Sequence, residues 1–347
     1  MLARVGTIAL GDLSMESGPR IIVWDTTYAC PLLCVHCYSE SGRRDPRQLG
    51  PEAMLRVADK IVEAKPEGVV LSGGEPLLVP GIMDVARRLT EGGVRVALYT
   101  GGWSLRPELA EQLASTVSLV GVSVDGATAE VHDKIRGRRG SFDRVLRSLA
   151  VLDAVAEQTP FTFGLDCSVM RSNFHQVDDI CRDVVPRFPQ LGFAYFGPVV
   201  PSGVASRPGF AETELLSDAQ VRALTGDERV ARLRALAGDG IDVQVTDNRQ
   251  LMMHPDRATD WSTYEAVQIE PDGDVRAMSI YEGTVGNILT DPPAELWERV
   301  LARWHDPFVV ETLGAARTMA DWSVAARRID QRFGSADDLR RIALRPD

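Results

Sequence analysis

The sequence predicts an α/β fold in which a parallel sheet carries helices on its outer face. From residue 21 to about residue 200, short β-rich runs alternate with amphipathic helical stretches. Pro51, Pro80 and Pro107 stand near the first turns of three of these stretches, where a missing N–H is tolerated. Six such repeats in succession favour parallel strands joined by crossover helices.

The individual elements follow from local composition. The predicted strands are apolar runs at 21–24, 68–72, 95–100, 119–124, 161–170 and 193–196. The predicted helices between them are amphipathic stretches at 51–65, 80–92, 106–115, 141–157 and 174–186.

The later part of the chain changes character. A helical connector is broken at Gly226, and two extended runs around Asp272-Gly273 predict a hairpin with a type I′ turn. A helix through Trp297 completes a small α+β unit, and a charged helical tail follows it. The predicted parts are a lead-in at 1–20, the main α/β domain at 21–205, the connector at 206–240, the small domain at 241–305 and the tail at 306–347.

Composition and charge exclude several classes of function. The formal charge of −11 disfavours non-specific binding to nucleic acid or anionic lipid. The sequence shows no signal peptide and no apolar run long enough to cross a bilayer, and its five cysteines suit a reducing cytoplasm. We therefore expect a cytoplasmic protein. Residues 1–20 are too few for a separate peptide-binding domain.

Three of the cysteines are clustered directly after the first predicted strand. Cys30, Cys34 and Cys37 have the spacing C-x3-C-x2-C. Three thiolates on a tight loop hold three corners of an iron–sulfur cluster and leave one iron open to bind a ligand. The alternative is a structural zinc site, for which His36 is the only nearby fourth ligand.

These cysteines and a second motif resemble those of radical S-adenosylmethionine (SAM) enzymes. The three cysteines are followed by the aromatic Tyr38, and Gly73-Gly74-Glu75-Pro76 ends the second predicted strand, in the order that the family shows. The resemblance extends to about residue 200. It implies one [4Fe–4S] cluster held by Cys30, Cys34 and Cys37, SAM on the open iron, and a partial (β/α)6 TIM-type barrel with its site at the C-terminal strand ends.

The resemblance also implies residues that bind SAM. Gly73 and Gly74 let backbone approach the methionine end, and Glu75 accepts from the ammonium group or orients a neighbour. The further positions implied are Tyr38, Thr100, Ser123, Asp125 and Arg136, with Phe196 and Val199 beside the adenine. Arg136 would meet the SAM carboxylate as a fork. Ordinary core or loop roles for these residues stay open.

Cys167 is the candidate catalytic residue. It lies in the fifth predicted strand, where alternation points either Asp166 or Cys167 into the barrel. An inward thiol would return a hydrogen atom to a substrate radical, whereas an outward one would be a small hydrophobic core residue.

The small C-terminal unit resembles the SPASM or twitch domains of many radical SAM enzymes. The position that would carry a cysteine after the hairpin is Met278, and residues 182–347 contain no cysteine. We therefore expect a degenerate twitch-like domain without an auxiliary cluster.

Three functions are compatible with these features. The first is a radical SAM enzyme, a lyase or oxidoreductase, that abstracts hydrogen from a small polar metabolite. That substrate would be a sugar, aminocyclitol or nucleoside of antibiotic biosynthesis, and the reaction a decarboxylation, epimerisation or dehydrogenation. The alternative substrate is a ribosomally made peptide that the enzyme crosslinks or epimerises. The third is a non-enzymatic iron–sulfur scaffold. Either enzyme would take its electron from a carrier such as flavodoxin or ferredoxin.

Overall fold

The computed structural model describes residues 18–256 and 266–345, so most of the predicted lead-in lies outside the described residues. The strands described are β1 (Ile21–Asp25), β2 (Gly68–Ser72), β3 (Arg95–Thr100), β4 (Leu119–Ser123), β5 (Thr162–Val169), β6 (Phe193–Pro198), β7 (Asp242–Val245), β8 (Ala266–Ile269), β9 (Asp274–Arg276) and β10 (Thr284–Asn287). They form one sheet in the order β10-β9-β8-β1-β2-β3-β4-β5-β6-β7.

Strands β1 to β7 are parallel and lie in sequence order. This arrangement confirms the predicted α/β class with a parallel core, and β1 to β6 match the six predicted strands to within two residues at each end. Consecutive parallel strands bring their C-terminal ends to one edge of the sheet, which is where loops from different repeats meet.

The predicted hairpin joins the same sheet. β8 and β9 are antiparallel around Gly273, and β8 pairs in parallel with β1, with Val23 opposite Gln268. Strand β7 (Asp242–Val245), in the predicted small domain, also joins this sheet, next to β6. The predicted domain boundaries therefore fall within one continuous sheet, and a division into separate domains stays a prediction.

The helices lie between strands of the sheet or follow its last strand, β10. Those described are α1 (Pro51–Ala64), α2 (Ile82–Glu91), α3 (Pro107–Thr116), α4 (Ala129–Arg136), α5 (Ser141–Gln158), α6 (Val177–Asp179), α7 (Pro208–Thr213), α8 (Asp218–Thr225), α9 (Asp227–Ala237), α10 (Pro293–Trp304), α11 (Pro307–Gly314), α12 (Met319–Phe333) and α13 (Ala336–Ala343). None of these described helices has the length and apolarity to span a bilayer.

Two helical predictions differ from the structure. Helix α4, which supplies Arg136, was not predicted. The stretch 174–186 is not one helix but short 3₁₀, α and π turns. Pro186 stands in the last of these turns, and because it has no N–H to donate, a regular helix cannot continue through it.

The two faces of the sheet differ in what they bury. The face toward the helices carries large apolar side chains such as Trp24, Leu71 and Leu98, which pack in one extended core with the helices. The interior face carries a small apolar cluster that includes Val23 and Val70 and then turns polar toward the strand ends. The interior end of the sheet is therefore the part suited to bind a polar ligand.

The C-terminal helix α13 is bound to the loop that follows the cysteines. Arg341 and Arg345 both donate to the carboxylate of Glu40, with the Arg345 Nη2–Glu40 Oε1 distance at 2.8 Å. Arg341 also binds Glu282, which pairs with the buried Arg276 at 2.7 Å. Because Glu40 is only 4% exposed, these buried ion pairs attach the loop after the cysteines to the C-terminal part of the chain.

A buried tyrosine links helix α12 to the segment after the hairpin. The Trp322 indole donates to the Tyr281 hydroxyl at 2.8 Å, and that hydroxyl donates to the Met252 carbonyl at 2.9 Å. Tyr281→Phe removes both bonds from a fully buried position, so we expect a loss of about 1–3 kcal/mol in the free energy of unfolding. Tyr195→Phe is the matched control, because the Tyr195 hydroxyl donates to Asp242 at an exposed position. Equal losses in denaturant unfolding of the two variants would contradict the expectation.

Candidate active site

The cysteine loop follows β1 and is fixed by backbone hydrogen bonds to two other segments. Leu33 N donates to the Arg136 carbonyl at 3.0 Å and Val35 N to the Ile135 carbonyl at 2.9 Å, both at the end of α4. On the other side, Val204 N donates to the Cys37 carbonyl at 3.0 Å. Regular secondary structure is absent from the described loop, so these bonds determine its path.

Glycines allow this loop to lie directly against its neighbours. A Cβ on Gly74 would stand 2.8 Å from the Ala29 carbonyl carbon, closer than van der Waals contact permits. Gly203 has φ +54°, and a Cβ added to it would likewise be too close to the Cys37 and Tyr38 carbonyls. Gly74 N also donates to the Thr27 carbonyl at 2.6 Å. These contacts give the Gly-Gly-Glu-Pro turn a structural role, and contact of Gly73 and Gly74 with SAM stays a prediction.

The three cysteine side chains are largely shielded from solvent. Burial raises the pKa of Cys34 to about 11, although Arg136 opposes the rise, and nearby Cys37 raises it further. Burial also raises the pKa of Cys30, and repulsion from Cys34 and Cys37 adds to the effect. Without a metal these two thiols are therefore protonated at neutral pH, so holding them as thiolates requires a cationic metal centre.

The positions of the three cysteine sulfurs bear on whether they hold a single zinc ion. Ligand atoms around a tetrahedral zinc lie about 4 Å from one another. Among the described residues, no group of three ligand atoms within 4.8 Å of one another includes these cysteines. His36, the proposed fourth zinc ligand, instead points Nε2 toward Asp125 Oδ2 at 3.7 Å. These positions disfavour a single zinc ion as the group that the cysteines hold.

A buried ion pair stands beside Cys34. The Arg136 guanidinium lies 2.7 Å from Asp125 Oδ2, and Arg136 Nη1 donates to Cys34 Sγ at 3.6 Å. Burial alone lowers the pKa of Arg136, but Asp125 and Cys34 raise it by more, so the side chain stays cationic. The Arg136 Nε has no hydrogen-bond partner among the described residues. Arg136 is thus placed to support a thiolate, and its predicted contact with the SAM carboxylate is untested.

Glu75 is fully buried and connects the ends of two strands. Its carboxylate accepts from Thr100 Oγ1 at 2.7 and 2.9 Å, from Gly101 N at 3.0 Å and from Leu77 N at 3.2 Å. Burial raises the pKa of Glu75, against these hydrogen bonds, which lower it. These bonds hold Glu75 and Thr100 together at the turn, and contact of either residue with SAM stays a prediction.

Tyr38 is joined to the end of β1 and β2 by its hydroxyl. The Tyr38 hydroxyl donates to Asp25 Oδ1 at 2.6 Å and is 3.0 Å from Ser72 Oγ. The other Asp25 oxygen accepts from Gln268 Nε2 at 2.5 Å. Asp25 therefore links the cysteine loop to the hairpin strand β8.

A partly open cavity of about 90 Å³ lies beside Tyr38, on the interior side of the sheet. Its apolar wall includes Val23, Val70, Val199, Leu251 and Ile280. Its polar wall includes His36, Tyr38, Ser168, Asn248 and Gln268. The described lining contains no Lys, Arg, Asp or Glu, so the cavity suits an uncharged polar group.

The remaining predicted site residues divide between the two faces of the sheet. Ser123 pairs with Asp166, and Asp166 with Tyr195, in one row on the interior face. Cys167 pairs with Phe196 in the next row, and both lie in the helix-facing core. Their position does not support Cys167 as a hydrogen donor or Phe196 as an adenine neighbour. Ser123 is half-buried, and its hydroxyl makes no hydrogen bond within the described residues.

Sequence reasoning missed Asp25, Asn248 and Gln268. Asp25 was detectable as a carboxylate directly at the end of an apolar strand. Gln268 is the one polar residue in the strand Ala266–Ile269, which is a weaker signal. No local pattern distinguishes Asn248, whose importance depends on contacts with Pro198.

The N-terminal half of the chain is similar in sequence to known proteins. Residues 24–156 match the family model of the Radical SAM superfamily. Over 167 residues the chain is 36% identical to the AdoMet-dependent heme synthase of Methanosarcina barkeri (strain Fusaro / DSM 804), covering 48% of this chain and 47% of that protein. Over 164 residues it is 39% identical to mycofactocin maturase MftC of Mycobacterium tuberculosis (strain CDC 1551 / Oshkosh), covering 46% and 40%. The chain thus matches about half the length, or less, of these relatives.

Solved structures extend the likeness in fold. SuiB of Streptococcus suis bound to S-adenosylmethionine has a TM-score of 0.65 at 15% identity, over 87% of this chain and 69% of SuiB. SuiB bound to its precursor peptide SuiA gives 0.64 at 14%, over 87% and 68%. At these identities the likeness shows a shared fold.

The contact at Gly74 is testable by adding one methyl group. Gly74→Ala forces the turn away from the Ala29 carbonyl, so we expect a clear loss of iron and sulfide bound per chain after anaerobic reconstitution. Gly209→Ala is the matched control, because a Cβ there meets nothing within 4 Å and should leave iron content unchanged. Full iron binding by Gly74→Ala would show that the loop tolerates displacement.

The buried carboxyl of Asp25 makes the free energy of unfolding depend on pH in a predictable direction. Burial raises its pKa from 3.8 to about 6, against the hydrogen bonds from Tyr38 and Gln268 and the charge of Arg276. Between the two pKa values, the folded protein therefore binds more protons than the unfolded chain. The stability that protonated Asp25 contributes at low pH is lost as the pH rises through about 6. The free energy of unfolding of Asp25→Asn minus that of the parent should rise by about 1 kcal/mol from about pH 5 to about pH 7.5. A difference that is constant with pH in denaturant unfolding would contradict this.

Proposed function

Because residues 24–156 are a radical SAM domain, which uses a [4Fe–4S] cluster and SAM, we propose that this chain is an enzyme that cleaves SAM reductively and abstracts hydrogen from a bound substrate. The observation that supports this most directly is the trio Cys30, Cys34 and Cys37 on one loop, next to a cavity of about 90 Å³ that His36 and Tyr38 line. When bound, the cluster and SAM supply the electron transfer and the 5′-deoxyadenosyl radical.

The residues of this chain contribute binding and positioning. Cys30, Cys34 and Cys37 would hold three irons, and Arg136 would stabilise the Cys34 thiolate through the bond at 3.6 Å. Two predicted SAM contacts are well placed to meet a ligand. Ser123 lies on the interior face with a hydroxyl that makes no hydrogen bond to the described residues, and Val199 lies on the cavity wall. The walls of the cavity would exclude water from a radical.

We propose a peptide as the substrate. MftC is named a maturase of mycofactocin, and SuiB was crystallised with a precursor peptide, so relatives in sequence and in fold act on or bind such molecules. A peptide would insert one side chain or backbone segment into the cavity, because about 90 Å³ is too small for an extended chain. The C-terminal hairpin would serve as a degenerate twitch-like unit, with Met278 where a cluster ligand would stand.

A small polar metabolite is the second candidate. The small volume of the cavity, about 90 Å³, and its uncharged polar groups favour a small metabolite. However, the absence of a cationic side chain from the described lining disfavours a substrate that presents a carboxylate, as a decarboxylase would need. The electron donor in either case would be a small carrier such as flavodoxin or ferredoxin.

Formation of 5′-deoxyadenosine tests the proposed reaction. With SAM and dithionite under anaerobic conditions, we expect the reconstituted protein to form it and Cys34→Ala to lose at least about 100-fold in rate, because one iron loses its ligand. Cys181→Ala is the matched control, since Cys181 is buried in the helical segment 177–184, away from the loop, and should keep the parent rate. A parent protein without SAM cleavage would favour the scaffold.

Isotope transfer separates the two substrate classes. Deuterated candidate peptides and deuterated sugars or nucleosides should be compared for deuterium in 5′-deoxyadenosine. Transfer from a peptide alone supports the proposal, and transfer from a metabolite alone overturns the peptide assignment.

A further inference from the structure

Two buried amide oxygens in the cavity have no hydrogen-bond partner. Asn248 and Gln268 line the cavity and are only 6% and 1% exposed. Asn248 Oδ1 and Gln268 Oε1 accept no hydrogen bond within the described residues. Buried side-chain acceptors are paired in the large majority of cases, so two together in one cavity indicate a missing donor.

The orientation of both amides is fixed by their other ends. Asn248 Nδ2 donates to the Pro198 carbonyl at 2.8 Å. Gln268 Nε2 donates to the Asp25 carboxylate at 2.5 Å, and Tyr38 occupies the other Asp25 oxygen. A carbonyl and a carboxylate only accept, so neither amide can be reversed without losing its bond. Both oxygens are therefore held as acceptors.

The cavity is formed mainly by the part of the chain outside the radical SAM domain. Of its described lining, only His36, Tyr38 and Val70 fall within 24–156. The shared domain binds the shared cofactors, whereas Asn248 and Gln268 come from the segments around β7 and β8 that the matched family region does not include. Residues in this position are suited to recognise what is particular to this protein, which is its substrate.

We propose that Asn248 and Gln268 are specificity-determining residues that accept hydrogen bonds from uncharged N–H groups of the substrate, amides above all. The assignment rests on the proposed function, and it narrows the substrate to one with amide donors at the reacting end. An ammonium group is disfavoured, because no carboxylate lines the described cavity to pair with it. SAM also carries donors, so the test must separate the two sources.

The test compares two isosteric probes on the reconstituted protein. N-methylacetamide has one N–H donor, and methyl acetate has an ester oxygen in its place. By ligand-observed NMR titration, we expect the amide to bind about fivefold or more tightly than the ester, because the ester leaves both acceptors unpaired. Equal binding, or preference for the ester, would mean that water satisfies these oxygens and would overturn the proposal.

Variants assign the preference to the two residues. Gln268→Met and Asn248→Gly should each reduce the ratio of ester to amide dissociation constants toward one. Glycine suits position 248 because Asn248 has φ +53°. Gln250→Met is the control, since Gln250 is exposed and outside the cavity lining, and should keep the parent ratio. An unchanged ratio in both cavity variants would overturn the assignment, and the comparison in the parent protein stands even where a variant does not fold.

Two further measurements distinguish SAM from substrate as the donor, and the proposed function from the present inference. With saturating SAM present, retention of amide binding supports a substrate site, and its complete loss assigns the cavity to SAM and overturns the proposal. Formation of 5′-deoxyadenosine is measured on the parent protein and Gln250→Met. Its absence in both would remove the proposed function, whereas an amide preference lost while SAM cleavage persists would remove only this inference.

Discussion

Direct backbone contact at the cysteine loop is the constraint on which the site depends. The loop lies between the end of α4, the Gly-Gly-Glu-Pro turn and the segment at Gly203, and each contact leaves no space for a Cβ at the glycines involved. The loop is therefore positioned by three separate parts of the chain. Burial raises the pKa of the Cys30 and Cys34 thiols and so works against metal binding, which makes a firmly positioned loop more important.

The buried charges around the loop are arranged to compensate one another. Asp125 and Arg136 form a pair at 2.7 Å, and removing one partner of such a pair costs about 3–5 kcal/mol because the other charge is left buried. Asp25 is satisfied instead by neutral donors, Tyr38 and Gln268. The site thus keeps the Asp125–Arg136 pair near the cysteines, whereas the described cavity lining presents only uncharged polar groups.

Local sequence patterns were sufficient for the parallel core and for the hairpin at Gly273, because apolar runs and turn residues act over a few positions. They were insufficient for the pairing of β8 with β1, since that contact joins residues far apart in the chain. The same limit applies to the site. The cysteine motif is local and was recognisable, whereas the direction of Cys167 depends on register with β6. The orientation of the buried amide oxygens of Asn248 and Gln268 likewise depends on distant partners, Pro198 and Asp25.

The contact of α13 with Glu40 has a consequence for the order of events during synthesis. Glu40 follows Cys37 by three positions, yet its cationic partners Arg341 and Arg345 emerge from the ribosome some three hundred residues later. A nascent chain therefore carries the three cysteines on a loop that still lacks one of its anchors. The loop that follows the cysteines gains this anchor only after residue 345 has left the ribosome.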